Sequence, residues 1–449
     1  TQKGHTIERT SAFGPISYNL ESILFNHVEQ VVTRIAYAPF ARQVLRAVRD
    51  KAIRGMIDTK LGPEYRKIIE PWLQRQINEG ASMAQGARWW SGILRQARIN
   101  LTIAAMGLRI STGMAQTLGL TASAQRIGAR WVGTGFKTLA LNPRRATQFV
   151  WDRSSEMLHR TENFSREMNE LSNRMRQKHK WWTEAQHWAM WHIGMIDRYA
   201  VSLPTWLGAH AKGISQGMTD EEASRFADKS VRMSQGSGRE KDLAWVQSMA
   251  NGEAFRFFTM FYTPFNVLFN AQWQGVRGLK RGDIRPAISV TFWWMMASML
   301  GDAMLSGDWP EDDDEDGDKD WGAWAARNVF FGMFAGIPLV RDLANGMERT
   351  MIGEYTDPGS TPVTRVYDAV DRSWQIGDKY VEEGELPEKP IKTFGNLAAV
   401  FTGLPLSQPA VTGQFLWDYG HGETDPQGVT DWYFGISKGK VPSEEGDNE

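Results

Sequence analysis

The chain has 449 residues and carries 51 Lys and Arg against 52 Asp and Glu, a net charge of −1, so the molecule as a whole steers toward no particular partner. It has no cysteine, which excludes disulfides, thiolate metal sites and cysteine nucleophiles. A mean hydropathy of −0.42 excludes a multi-span membrane protein. Twenty Trp and twenty Met are high for a soluble chain. Trp suits boundaries that are apolar on one side and wet on the other, and Met fills changeable packing surfaces.

In chain order, nearly every segment has helical periodicity, and strand alternation is hard to find. The first region, 1–80, shows no signal-peptide pattern, and the absence of an initiator Met predicts a chain processed or excised from something longer. "SYNLESILFNHVEQVVTRIAYAPFARQVLRAVRDKAIRGMI" is amphipathic, with Pro39 expected to interrupt it. The second region, 81–160, is basic: eleven Lys and Arg lie from Arg88 to Arg160 against Asp152 and Glu156 alone. A seam through Trp90, Leu94, Ala97, Leu101, Ala104 and Leu108 advances by four and three, with Arg88, Arg95, Arg98 and Arg109 flanking it. These four arginines are candidates for lipid-headgroup or subunit contacts, the alternative being a solvated helix face. After Gly113 small residues dominate, "GMAQTLGLTASAQRIGARWVGTGFKTLAL", which lets helices approach closely.

The third region, 161–285, is predicted to be a Trp- and Met-rich helical core. Trp181, Trp188, Trp191, Met195 and Tyr199 share a broad face expected to be buried. His187 and His192 are five residues apart, which splays them to different helix faces and makes them poor metal co-ligands. Thr219 with Glu222 predicts a capping box, and Gly236 predicts the end of that helix.

The fourth region, 286–345, reads as an apolar helical hairpin with an acidic tip. Pro286 suits a first helical turn, Ile288 to Leu300 is uncharged, and Asn328 to Val340 is a shorter apolar run broken by Pro338. Between them, ten acids lie from Asp302 to Asp320 against Lys319 alone. Asp312, Asp314, Asp316, Gly317 and Asp318 match the start of a calcium loop, but Ala323 stands where its closing glutamate belongs, so no specific metal site is expected. The membrane-contact candidates are Ile288, Phe292, Trp293, Met296, Met299, Leu300, Phe330, Phe331 and Phe334. The last region, 346–449, rich in Pro, Gly and acid, reads as an extended tail with short helices laid along other surfaces.

No P-loop, H-E-x-x-H or nucleophile elbow occurs, and "GMAQ" at Gly113 has no Glu between it and Ala81 to serve as a glycosidase acid. Neither an enzyme nor a cofactor is expected. From Trp181 to Arg281, "MTDEEASRFADKSVRMSQGSG" followed by "FFTMFYTPFN" resembles the internal virion, or ejection, proteins of short-tailed bacteriophages and the carboxy-terminal region of large polyvalent phage proteins. The resemblance implies packaging in the virion interior beside the portal and other ejection proteins, then release into the host periplasm and inner membrane. There such proteins form an oligomeric ring or tube that contacts membrane lipids and passes genomic DNA with weak contact. With it, the expected architecture is an all-α, elongated multi-helix assembly with a membrane-capable hairpin and an extended carboxy-terminal tail. A cell-wall hydrolase module whose catalytic part lies elsewhere, or a capsid-internal scaffold, are the alternatives.

Overall fold

A computed structural model describes residues 20–60, 89–158, 181–238, 263–301 and 389–441, with isolated positions such as Arg160, Leu171, Arg256 and Met260. Every regular element among the described residues is helical. Helix α1 (Leu20–Arg49) runs on through Pro39 instead of stopping there. Helix α2 (Lys51–Lys60) follows at Asp50, whose carboxylate accepts the Ala52 amide at 2.9 Å and caps the new helix.

The basic region folds as a run of short helices whose breaks are written in the sequence. Helix α3 (Trp89–Met106) buries Leu101 and Ala104 of the four–three seam, and Ile103 beside it. The seam ends before Leu108, which takes φ 58° and donates its amide to Ala189 O across the fold. Helices α4 (Ile110–Thr117), α5 (Gly119–Ile127), α6 (Ala129–Leu141), α7 (Pro143–Trp151) and α8 (Ser155–Leu158) follow. Gly128, at φ 95°, turns the chain between α5 and α6, and Pro143 opens α7, where its missing N–H costs nothing.

Helices α9 (Trp181–Ala189) and α10 (Trp191–Met195) lead into a π-helical segment, Ile196–Ser202, and then α11 (Leu203–Ser215). Pro204 gives the physical reason for the wide turn: it offers no N–H to the preceding turn and its ring crowds the carbonyl four residues back. Helix α12 (Asp220–Gln235) carries the expected capping box, with Glu222 N donating to Thr219 Oγ1 and Thr219 N donating to Glu222 Oε2, and it ends at Gly236 as predicted.

The main core lies between α5, α6, α7, α11 and α12. Ile127, Val132, Val150, Leu203, Trp206 and Val231 are buried there. It draws together the second and third regions of the sequence, and Trp293 of the fourth packs against it. The tightest crossing is α6 on α11, and it depends on glycine. A Cβ on Gly135 would run into Pro204 O, and one on Gly208 into Trp131 O.

Helices α13 (Thr263–Lys280) and α14 (Arg285–Gly301) form an antiparallel hairpin, closed where Gly275 meets Ala287 and Gly278 meets Pro286. The expected membrane-capable hairpin is corrected here: no helix among the described residues is long and apolar enough to cross a membrane. The 17 described residues of α14 reach about 26 Å, short of the roughly 30 Å hydrocarbon layer. One side of it is also committed to protein, since Val290 and Ala297 are buried and the helix packs on α5. The second arm and the acidic tip lie outside the described residues.

The described end of the chain is not an extended tail. Helices α15 (Pro390–Thr402), α16 (Ser407–His421) and α17 (Val429–Lys438) pack in succession, and α15 lies along α3. The Gly and Pro that suggested an open chain are helix punctuation: Pro390 starts α15, and left-handed Gly403, Gly422 and Gly439 end the three helices.

Candidate functional site

Two kinds of feature stand out: a buried polar lattice and surfaces left uncovered. The lattice centres on Arg160, fully buried, which grips Asp197 with two hydrogen bonds (Nε to Oδ2, 2.8 Å; Nη2 to Oδ1, 3.2 Å). Arg160 also donates to the carbonyls of Gly236 (2.6 Å) and Gln235 (3.2 Å), while Ser202 donates to Asp197. The π-helical turn carries Asp197, so the ion pair ties that irregular segment to the end of α12. Gln235 continues the lattice: its amide donates to Gly119 O and Ser123 Oγ, and Ser123 in turn meets Thr205 at 2.7 Å.

A second cluster borders the first. Asp228 accepts from Trp206 Nε1 (2.7 Å) and Ser154 Oγ (2.5 Å). His210 stacks on Trp206 and meets Asp220 at 3.1 Å, and Arg153 donates to the same Asp220. The Arg153 hydrogen bond holds that carboxyl below its usual range. The concavity nearby, beside Met218, Glu222 and Phe226, is an open depression rather than an enclosed pocket. Chemically the lattice orients helices. The hydroxyls of Ser123, Ser202, Thr205 and Ser234 end on one another, on carbonyls, on Gln235 and on Asp197, and none of the four meets an imidazole to activate it. No cluster of three metal-ligating side chains occurs among the described residues.

The residues singled out from the sequence are not brought together as one site. Arg95 is exposed, Arg98 is 2 % exposed, and Arg109 is half-buried with its carbonyl taken by His192, so these three do not form one exposed stripe; Arg88 lies outside the described residues. Burial lowers the His192 pKa, and neither His192 nor His187 joins a metal cluster. On the hairpin, Ile288, Phe292 and Leu300 are exposed, Met296 and Met299 are half-buried, and Trp293 packs on the main core; Phe330, Phe331 and Phe334 are outside the described residues. A DNA-conducting channel through a host membrane therefore loses its structural basis: the helix meant to span is too short and packs on protein. The broad aromatic face expected in the core is largely outside it. Trp181 (67 % exposed), Trp188 (62 %), Trp191 and Met195 face solvent, and only Tyr199 packs against the main core.

One uncovered apolar surface among the described residues belongs to the α13–α14 hairpin, where Phe269, Trp273, Val276, Ile284, Ile288 and Phe292 are all exposed. The spacing 269, 273, 276 on α13, and 288, 292 on α14 with Ile284 just before its start, places each trio on one side of its helix. Arg277 and Lys280 lie 5.6 and 5.8 Å from the Trp273 ring at the hairpin tip. At roughly half exposure each, side chains of this size present on the order of 600 Å² together, at the top of what a monomer usually leaves uncovered. Sequence reasoning singled out two of these residues, Ile288 and Phe292, because their run lacks charge, and assigned them lipid as a partner. It missed the Arg160–Asp197 pair, because nothing local joins residues 37 positions apart. No family model matches the chain, and no curated protein or solved structure is significantly similar to it.

Proposed function

We propose that this chain is a structural assembly subunit, one that works by packing helices against further copies of itself rather than by catalysis. The observation that carries the reading is the exposed apolar side of the α13–α14 hairpin. Two such faces together bury about 1,200 Å², at the lower edge of the roughly 1,200–2,000 Å² of stable interfaces. Charge favours a two-fold arrangement. The hairpin helices hold no acid, and their cations Arg277, Lys280 and Arg285 gather at the tip with Arg281 of the turn, where, among the described residues, Asp283 pairs with Arg285 alone. An isologous pair with antiparallel hairpins sets those tips at opposite ends. The resemblance of Trp181 to Arg281 to internal virion proteins supports a place in the interior of a virus particle as the setting for such an assembly.

Light scattering across a concentration series tests the reading. The wild-type chain is expected to associate, and Trp273→Glu with Ile288→Asp to shift it to monomer while far-UV circular dichroism keeps its helical signal. A wild-type chain that stays monomeric to its highest soluble concentration, or variants that associate as the wild type does, would refute it.

A further inference from the structure

Two sets of cations among the described residues differ in what they hold. Arg153, Arg160, Arg225 and Arg285 each hold a carboxylate. Arg126, Arg130, Lys137, Arg144, Arg145 and Lys212 hold none among the described residues. Five of these six come from α5, α6 and α7, and not one acid occurs between Ala81 and Trp151. Lys212 of α11 joins them in space by donating its Nζ to Ile127 O at 3.0 Å, one residue from Arg126. Arg130 stands just beyond the Gly128 turn, its guanidinium 5.6 Å from the Trp131 ring, and Lys137 follows two helical turns later, about 10 Å along α6.

Local stability accounts for only part of this ridge: Arg126 and Lys212 lie in the last turns of α5 and α11, where the helix dipole favours cations, but Arg130, Arg144 and Arg145 run against it. Arg130 lies in the first turn of α6, and Arg144 and Arg145 in the first turn of α7, where the helix dipole favours anions and disfavours cations. Neither helix has a side-chain cap at that end. At the α5–α6 junction, Arg126 and Lys212 are brought together partly out of water, and both pKa values are lowered, in each case chiefly by burial, with repulsion from Arg126 adding to it at Lys212. A free protein that crowds cations this way gains when an anion arrives.

We infer that the ridge formed by Arg126, Arg130, Lys137, Arg144, Arg145 and Lys212 binds the phosphodiester backbone of nucleic acid. A surface of one sign along three successive helices matches a partner of uniformly opposite charge, whereas protein partners mix both signs. Exposed Gln148 and Asn142 and half-buried Thr134 and Thr147 add the neutral polar groups that commonly accompany phosphate contacts. Point charges of this kind suit phosphates rather than base edges, so recognition is by backbone and independent of sequence. This inference stands apart from self-association, which uses the α13–α14 hairpin.

The test is binding of a mixed-sequence DNA duplex across a salt series, with phosphatidylglycerol vesicles in parallel. Wild-type affinity for the duplex should fall linearly in log–log form with a slope of about −3 to −5, at roughly 0.9 per phosphate neutralised. Lys137→Gln with Arg144→Gln and Arg145→Gln, all exposed side chains whose loss leaves the packing intact, should reduce that slope by about 2 to 3. Arg126→Gln with Lys212→Gln should reduce it by about 2, in protein whose helicity is checked by circular dichroism. Failure of the folded wild type to bind duplex, a slope unmoved in both variants, or binding to the vesicles alone would overturn the inference.

Discussion

Replacing single glycines on α6 by alanine reads the α6–α11 crossing directly, because two of them are two residues apart and differ in what their Cβ would meet. At Gly133 nothing lies within 4 Å, so alanine brings only its better helix propensity, a stabilisation of about 0.8–1 kcal/mol. At Gly135 the same methyl would overlap Pro204 O and approach the Gly208 amide nitrogen to 2.9 Å. At Gly208 it would overlap Trp131 O. These obstacles are backbone atoms, which cannot rotate away as a long side chain can. The helices must part by something on the order of 1 Å, forfeiting contacts along the whole crossing. Overpacking of this kind costs about 1–3 kcal/mol, and the rigid neighbours place it at the upper end. After the propensity gain is deducted, Gly135→Ala and Gly208→Ala should each lose at least about 1 kcal/mol, while Gly133→Ala gains. Urea unfolding followed by circular dichroism, with midpoints compared at constant slope, measures all three. If all three alanines stabilise alike, the close crossing does not exist and the arrangement of the core is wrong.

The buried ion pair gives a second expectation: Arg160→Met strands Asp197 and should cost about 3–5 kcal/mol, whereas Arg160→Met with Asp197→Leu should recover much of that loss. A double variant no more stable than the single one would show that Arg160 acts through the Gln235 and Gly236 carbonyls instead. The capping box makes a prediction about pH. The Thr219 backbone amide, then its hydroxyl, hold the Glu222 carboxyl below its usual range. A lowered folded pKa contributes stability that is complete above the ordinary glutamate range and is lost as pH falls through the lowered value. Glu222→Ala should therefore lower Tm at neutral pH by more than it does in acid; an equal drop at both would mean the charged Glu222 carboxylate contributes nothing.

How far the sequence could be read depends on whether the deciding partner was local. Thr219, Glu222 and Gly236 placed both ends of α12 because capping is settled within a few residues. The small residues after Gly113 announced close approach, and Gly135 delivers it, although the opposing Gly208 lies 73 residues further along the chain. Spacing identified faces but not what covers them. Leu101 and Ala104, on one seam, are buried, while Trp181, Trp188 and Trp191, on another as apolar, face solvent. Periodicity is a property of one helix, and burial is a property of two. The same limit explains the hairpin: Ile288 and Phe292 looked like lipid contacts because the run around them lacks charge. Only the packing of Trp293 against the core shows that the opposite side of α14 is already occupied by protein. A helix buried on one side and apolar on the other is, in the reading proposed above, covered by a second copy. The unpaired cations of α5 to α7 were legible as composition, yet their significance needed the structure, since only three-dimensional placement separates Arg126 and Lys212, without a carboxylate, from Arg153 and Arg160, each with one.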